Sequence, residues 1–437
     1  MTEAVAGRLS ASRRAPPGFW RLNGINAFWA ANQGLWNAVY VLLAVSAAVI
    51  APDAKELVVG RATAAGGALS VLVPLGAGFL SDRTRSRWGR RTPWIVGGAV
   101  TEVTGLVALA LAGSVPMLIL AYLLLQIGNN CAGAAFAGIV PDVVPAAERG
   151  RASGLLNSAT AVGTVACLAI ALVVLGRLGS TAAGSGVAFV AIAALVAASL
   201  CVSIMLLREA PHPPAIAPDV QEPRRSLGAI LGNAWRDTLA APDFRWLLIT
   251  RFFQTLGIWT ILPFITFYFQ DVVQAANYGA ASSLWLLVVL AGGIVPAIAC
   301  GYLSDRIGRR KPFVYASSAV QAVVAAYLLF SLASSLPLVY ALGLTFGVGY
   351  GAFAAVDWAL VCDVLPDPEE AAASGMSIFH VSFTLPQVLA PAILAPILHA
   401  LNHPATHDWL GYRWVFGSAA LWFVLATVFV SRIRGVR

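Results

Sequence analysis

Gly78–Pro93 reads GFLSDRTRSRWGRRTP, and a shortened form recurs 223 residues later as Gly301–Pro312, GYLSDRIGRRKP. Two more pairs match at nearly the same offset: Gly34–Trp36 (GLW) with Gly257–Trp259 (GIW) at 223, and Asp142–Pro145 (DVVP) with Asp363–Pro366 (DVLP) at 221. Three matches at nearly one offset are not expected by chance. The sequence therefore predicts two halves that repeat each other in parallel.

The composition is that of a membrane protein. The 437 residues are 59% hydrophobic and 11% charged, and the mean hydropathy is +0.79. Soluble proteins are about 45–50% apolar and about 25% charged. This comparison excludes a soluble enzyme, a nucleic-acid-binding protein and a disordered chain. The five cysteines lie in apolar segments without metal or disulfide spacing, so we expect no cofactor and no metal.

Long apolar runs follow one another along the whole chain. A membrane helix needs about 20 mainly apolar residues, and these runs are too long and too irregular for strands. We predict an all-α membrane protein with twelve spans, numbered here in chain order. Their limits are 23–50, 58–80, 93–113, 116–141, 152–176, 184–207, 243–270, 280–302, 312–333, 336–361, 371–400 and 412–432.

The basic residues orient these spans. If the N-terminus is cytoplasmic, 23 of the 28 Lys and Arg residues fall in cytoplasmic segments. The positive-inside rule then predicts that both termini are cytoplasmic in a cell membrane. The net charge of +8 is explained by this topology, so no nucleic-acid partner is required.

A polar, proline-rich segment separates the two halves. We divide the chain into a tail (1–22), an N-terminal half (23–207), a linker (208–242), a C-terminal half (243–432) and a second tail (433–437). The first part of the linker should be extended because it is rich in proline. Residues Ser226 to Thr238 could form an amphipathic helix at the membrane surface. We expect a monomer.

The repeated loop also carries a resemblance to a known family. Gly78–Pro93 resembles the loop signature of the major facilitator superfamily, in the form found in glycoside–pentoside–hexuronide carriers and related sucrose carriers. Asn129-Asn130 and Ala355–Leu360 (AVDWAL) also resemble this group. The resemblance implies a secondary transporter with the major facilitator fold. It implies a small-molecule substrate, a sugar or glycoside, that is moved by alternating access between the halves, in symport with protons.

The resemblance further implies a cytoplasmic latch between loops and helix ends. An Asp at a helix end can accept hydrogen bonds from an Arg of a neighbouring loop, and such pairs would bias a two-state equilibrium. Alternatively, the arginines only anchor topology. The latch candidates are Gly78, Asp82, Arg83, Gly89, Arg90, Arg91 and Asp142, mirrored by Asp305, Arg306, Arg309 and Asp363.

Uncharged polar side chains form stripes on several spans. Amides facing lipid would be costly, so we expect these faces to point inward, where amides and aromatic rings suit a polyhydroxylated ligand. Tyr40 could also stack on such a ligand. Alternatively, membrane amides only join helices. The substrate-binding candidates are Asn26, Gln33, Trp36, Asn37, Gln126, Asn129, Asn130, Gln254, Trp259, Tyr350 and Gln387.

Four ionisable residues lie deep in predicted spans and are functional candidates for that reason. We hypothesise that Glu102 carries a coupling proton and that Arg251 or His380 tunes it. The alternatives are a structural Glu102–Arg251 pair, a packing role for His380, and a latch role for Asp357. The family's acids are missing from Val58 to Ala77, and Gln126 replaces an acid of the sucrose carriers, so a facilitator or exporter stays open.

Three other functions compete with the sugar carrier. A drug or metabolite–proton antiporter of the same superfamily would often carry a Gly-Pro motif in span 5, but Gly154 to Val174 contains no proline. A sensor on a transporter fold would need an appended domain, and none is visible in the sequence. A membrane enzyme would need a catalytic motif such as GxSxG or HExxH, which is missing. We therefore expect a transporter and no enzymatic activity.

Overall fold

A computed structural model describes residues 19–139, 149–207, 241–364, 372–403 and 408–434. These residues contain twelve helical stretches that are long and apolar enough to cross a membrane. The prediction of twelve spans in an all-helical fold is confirmed. In the described part of the chain, the strand content is one antiparallel pair, Asn402–His403 with Asp408–Trp409, between spans 11 and 12.

The N-terminal half contains spans 1 to 6. Span 1 consists of two helices, and the other spans of one helix each. The bounds are Phe19–Gly34 and Trp36–Ile50 for span 1, Lys55–Arg83 for span 2, Thr92–Ala110 for span 3, Val115–Ala137 for span 4, Arg149–Leu178 for span 5 and Ala182–Leu206 for span 6.

The C-terminal half contains spans 7 to 12, and span 7 is again divided into two helices. The bounds are Pro242–Ile261 and Ile265–Asp271 for span 7, Tyr278–Ile307 for span 8, Lys311–Ser331 for span 9, Leu336–Val364 for span 10, Ala372–Leu401 for span 11 and Leu410–Val430 for span 12.

The breaks in spans 1 and 7 have local causes. Pro263 has no backbone N–H to donate, and the helix of span 7 ends just before it, at Ile261. Span 1 is interrupted at Leu35, next to a very close approach to span 5. A Cβ at Gly34 would lie 2.3 Å from the carbonyl carbon of Gly163. Glycine is therefore required where these two spans cross.

Small residues also bring spans together within each half. A Cβ at Gly128 of span 4 would lie 2.2 Å from the backbone N of Glu102 in span 3. In the other half, a Cβ at Gly347 of span 10 would lie 2.1 Å from the carbonyl oxygen of Val289 in span 8. Each half is thus held by close backbone contacts of the kind common between membrane helices.

The two ends of the helical bundle differ in character. We name the end that carries the arginine-rich loops 84–91 and 308–310 the basic end, and the other the opposite end. Gly89 and Gly308 occupy equivalent places in the two loops, and their φ angles are 94° and 65°. Only glycine adopts such angles without strain, which explains its recurrence in both copies of the motif.

The halves meet along spans 2 and 11 and along spans 5 and 8. A Cβ at Gly60 would lie 2.3 Å from the Cβ of Ala395, and one at Gly67 would lie 2.4 Å from a methyl of Val388. Gly279 of span 8 approaches Leu175 of span 5 in the same way. Most of both tails, Asp142 and nearly all of the linker, with its predicted surface helix, lie outside the described residues.

Candidate functional site

An aromatic cluster lies where the two halves meet near the middle of the bundle. The ring of Tyr40 in span 1 lies 5.2 Å from that of Trp259 in span 7, in an edge-to-face arrangement. Trp36 packs against Tyr40 at 6.2 Å and against Tyr122 of span 4 at 6.4 Å. Such ring pairs contribute about 0.5–1.5 kcal/mol each beyond area burial. We call these four rings the aromatic seam.

Amide side chains lie next to the aromatic seam. Gln126 donates from Nε2 to the hydroxyl of Tyr122 at 3.0 Å, and Asn130 donates from Nδ2 to Oε1 of Gln126 at 2.9 Å. Gln33 and Asn37 are half-buried and share the helix face of Tyr40, which contacts the other half. Helical spacing thus puts both residues on the side of span 1 that meets the other half, beside aromatic rings.

Glu102 is enclosed within the N-terminal half. Its Oε2 accepts from Nδ2 of Asn32 at 2.9 Å, and its Oε1 accepts from Nδ2 of Asn129 at 3.0 Å. Asn129 also donates to the backbone oxygen of Asn32 at 2.6 Å, which fixes the orientation of its amide. Gln33 donates from Nε2 to Oδ1 of Asn32 at 2.7 Å. A hydrogen-bonded chain thus joins the fully buried carboxylate to the face of Gln33.

The C-terminal half has a neutral version of this network. Gly89–Pro93 and Gly308–Pro312 align at an offset of 219, which places Gln321 where the first half has Glu102. Gln254 donates from Nε2 to Oε1 of Gln321, and Ser318 donates to Oε1 of Gln254 at 2.8 Å. All three side chains are fully buried. The fold therefore accommodates a carboxylate in one half and an amide in the other.

Arg251 forms an ion pair with Asp357. The contact joins span 7 to span 10, and the two side chains are 11% and 12% exposed. The guanidinium carbon of Arg251 also lies 3.5 Å from the ring centroid of Phe379 in span 11. The structure thus pairs Arg251 with Asp357 of its own half, whereas Glu102 is bound by two asparagines.

Polar contacts bridge the halves at the opposite end. Lys55 of span 2 binds Oδ1 of Asp271 at 2.5 Å and Oε1 of Gln270 at 2.9 Å. Tyr412 donates to the second oxygen of Asp271 at 2.6 Å. Ser180 donates to Oδ1 of Asn277 at 2.8 Å. The contacts of Lys55 and Ser180 join the two halves, and Tyr412 supports Asp271 from within the C-terminal half; we call this set the opposite-end clamp.

A second set of ion pairs lies at the basic end within the C-terminal half. Arg310 donates from Nε to Asp363 at 2.7 Å and from Nη1 to Asp305 at 2.6 Å. Partial burial lowers the pKa of Arg310, but the bonds to the two carboxylates outweigh burial and raise that pKa overall. Arg309, the residue predicted to bind these carboxylates, is exposed beside them. The neighbouring arginine therefore makes the contacts that the sequence assigned to Arg309.

The equivalent loop of the N-terminal half is described only in part. Arg91, equivalent to Arg310, is buried and donates to Oγ of Ser81 at 3.2 Å. Arg83 stacks on the ring of Phe79 at 3.7 Å. Asp142 and the side chain of Asp82 lie outside the description. The remaining latch candidates are loop or helix-end residues. Gly78 has open space where a Cβ would lie, and Gly89 has a positive φ. Arg90 is half-buried, and Arg306 is exposed.

The predicted substrate residues divide into three groups. Gln33, Trp36, Asn37, Gln126, Asn130 and Trp259 lie at or beside the aromatic seam. Asn129 and Gln254 are enclosed in networks inside one half. Asn26 lines a groove of about 380 Å³ between spans 1, 5 and 6, and Tyr350 and Gln387 are half-buried. The side chain of His380 lies outside the description.

Several residues of these networks were missed in the sequence. Asn32 is adjacent to the polar stripe of span 1 but points to Glu102 instead of the seam. Gln321 could have been found by extending the 219-residue alignment of the loops into span 9. Lys55 and Asp271 lie near predicted span ends, where charge is expected, so nothing in the sequence indicated that they pair.

Comparison with known proteins identifies the family. The family model of the Major Facilitator Superfamily matches residues 29–391, so the chain belongs to this superfamily of transporters. A bacterial homologue of the human lysosomal transporter Spinster, in an inward-facing and unoccupied conformation, has a TM-score of 0.73 and 14% identity. That similarity covers 95% of this chain and 97% of that one.

The nucleoside transporter NupG is also similar, with a TM-score of 0.70 and 13% identity over 94% of this chain and 99% of that one. At such identities the likeness shows the fold alone. No curated protein matches the sequence. The fold and the family make this protein a transporter, and its membership says nothing of a particular solute.

Proposed function

We propose that this protein carries a small polyhydroxylated solute, a sugar or glycoside, across the cell membrane by alternating access and in symport with protons. The observation that carries the proposal is the polar face of span 1. Gln33, Trp36 and Asn37 lie on one helix face with Tyr40, at the point where Tyr40 contacts Trp259 of the other half. In this superfamily's architecture, the substrate site lies between the halves near the bilayer midplane.

The chemistry of this face suits hydroxyl groups. Each amide offers both donors and acceptors, and each sugar hydroxyl is itself a donor and an acceptor. The rings of Trp36 and Trp259 provide flat apolar surfaces beside the amides, which is the usual composition of a small-molecule pocket. A lipophilic cation would instead favour acidic side chains, and the acid nearest this face, Glu102, is already bound by two amides.

The distribution of basic residues supports one orientation in the membrane, and the opposite-end clamp supports one conformational state. We infer that the basic end is cytoplasmic, because 23 of 28 basic residues fall on that side of the predicted topology. The opposite-end clamp joins the halves on the other side. Together these features favour a state that opens toward the cytoplasm, the conformation in which the Spinster homologue was crystallised.

A thermal-shift screen of the purified protein in detergent tests the solute class. Sucrose, methyl glucosides and mannitol are compared with lipophilic cations, since a ligand that binds only the folded state raises the melting temperature. Asn37→Ala should weaken sugar binding about twofold to 13-fold, the equivalent of one hydrogen bond of about 0.5–1.5 kcal/mol.

Matched variants control for general effects on stability. Trp36→Phe should reduce the shift, whereas Trp414→Phe should not, because Trp414 is exposed in span 12. Thr104→Ala is the polar control, since Thr104 is exposed and its hydroxyl donates to its own helix, at the backbone oxygen of Val100. Stabilisation by lipophilic cations with no response to any sugar would refute the sugar proposal and indicate an exporter.

A further inference from the structure

The Arg251–Asp357 ion pair lies well inside the membrane-spanning region. Arg251 is the ninth residue after Pro242 at the basic end of span 7, and Asp357 is seven residues from Val364 at that end of span 10. At 1.5 Å per residue, these positions lie about 10–14 Å from the basic end of their helices. Ionisable groups at such depth are costly to insert, so each is a functional candidate.

The internal repeat shows that the fold does not need this pair. The offsets of 223 for span 7 and 221 for span 10 place Phe28 and Phe136 at the equivalent positions of the N-terminal half. Those two rings contact each other at 6.0 Å, so the same place in the same architecture is filled by apolar packing. Replacing a buried ion pair with well-packed apolar residues is often neutral or stabilising.

The pair is also poorly completed by hydrogen bonds. Nε of Arg251 is buried, and no described residue accepts a hydrogen bond from it. The face of the guanidinium rests on Phe379, with Phe383 at 5.6 Å, and aromatic faces do not replace the lost hydration of five N–H donors. An ion pair that is costly to bury and lacks part of its hydrogen bonding is not expected to stabilise the fold, so stability does not explain why it is present.

We propose that Arg251 and Asp357 form the coupling centre of this transporter, where protonation of Asp357 releases Arg251 from the ion pair. A proton from solvent on one side binds the Asp357 carboxylate, and the same proton leaves to solvent on the other side after the halves rearrange. Arg251, once released, can donate to an acceptor oxygen of the solute. This proposal rests on the proposed proton symport and names the groups that perform it.

The surroundings of Asp357 allow this exchange. Arg251 faces Asp357 from span 7, Tyr350 lies two turns earlier on span 10, and span 11 contributes the rings of Phe379 and Phe383. One cation thus balances one carboxylate, and protonation changes the net charge of the site from neutral to positive. Glu102 differs because both of its oxygens accept from neutral amides inside one half.

Infrared difference spectroscopy of the protein in lipid vesicles tests the assignment without any solute. The spectrum in mildly acidic buffer minus that in mildly alkaline buffer should contain the C=O stretch of a protonated carboxylic acid. Asp357→Asn should remove this band and Glu102→Gln should keep it. The proposal is overturned if the band is missing from the wild type, survives in Asp357→Asn, or is lost in Glu102→Gln instead.

Two further measurements separate coupling from folding and from solute choice. The double variant Arg251→Phe with Asp357→Phe copies the other half, and it should melt no lower than the wild type; a large loss of melting temperature would indicate a structural pair. A gradient of about one pH unit supports about tenfold accumulation at one proton per solute.

Asp357→Asn vesicles should lose this accumulation of radiolabelled sucrose and keep sucrose exchange. Full accumulation by Asp357→Asn overturns the assignment of the coupling centre. A wild type that takes up no sucrose contradicts the sugar proposal instead, and the infrared result then decides whether Asp357 is the group that binds the proton.

Discussion

Removing the Lys55 ammonium should release the opposite-end clamp. In Lys55→Met, Asp271 loses the 2.5 Å contact with Nζ, although Tyr412 still donates to its other oxygen at 2.6 Å. Lys55 and Asp271 are only 10% and 11% exposed, and breaking a buried pair costs about 3–5 kcal/mol. Asp271 keeps one partner and is hydrated when this end opens. We therefore expect Lys55→Met to destabilise the clamped state by only about 1–3 kcal/mol relative to the open state. That corresponds to a roughly 5- to 150-fold shift toward the state open at the opposite end.

Pulsed electron paramagnetic resonance can measure this shift. Spin labels at Leu178 and Leu336 would report the separation of the halves at the opposite end, since both residues are exposed there and belong to different halves. Arg61→Met is the matched control, because Arg61 lies on the same span but is exposed. Lys55→Met should populate longer distances than the wild type and Arg61→Met. Three superimposable distance distributions would refute the role of the clamp.

Substitutions at three more positions, with one control, test the packing and the buried network by melting temperature. Glu102→Gln should lower the free energy of unfolding by about 1–3 kcal/mol, because one asparagine donor loses its acceptor. Glu102→Ala should lower it by about 3–5 kcal/mol, and equal losses in the two variants would contradict the network. Gly128→Ala should lower the free energy of unfolding by about 1–3 kcal/mol or more, whereas Gly154→Ala should leave it unchanged because a Cβ there would meet open space. Similar losses in both variants would contradict the close approach of spans 3 and 4. Gly308→Ala should cost about 1–2 kcal/mol through its φ of 65°, and an unchanged melting temperature would contradict that turn.

The spans and the repeat were predictable from the sequence because they depend on composition and length. Twelve apolar runs required no knowledge of which face of a helix meets which neighbour. The loop motif Gly78–Pro93 and its copy indicated the superfamily, and the match of the family model over residues 29–391 confirms it, whereas the sugar-carrier subgroup stays a prediction. Sugar and proton coupling stay predictions, because the family contains carriers of many solutes.

The side-chain partners were not predictable in the same way. Whether Arg251 meets Glu102 or Asp357 depends on the rotation of span 7, which hydropathy alone leaves open. Asn32 and Gln33 are adjacent in the chain and differ by a helical step of 100°, yet Asn32 binds Glu102 directly and Gln33 reaches it only through Asn32. The left-handed turn at Gly308 presents Arg310 to Asp305 and Asp363, and a motif shows only that arginines are nearby.

Uptake into vesicles tests the proposal that the seam between the halves carries a polyhydroxylated solute with protons. Purified protein in liposomes is given radiolabelled sucrose or methyl glucoside, with and without an imposed pH gradient, beside Asn37→Ala and the exposed control Thr104→Ala. We expect accumulation above equilibrium only with the gradient, normal in Thr104→Ala and reduced about twofold to 13-fold in Asn37→Ala. Uptake of neither sugar, or uptake that ignores both the gradient and Asn37, would contradict it.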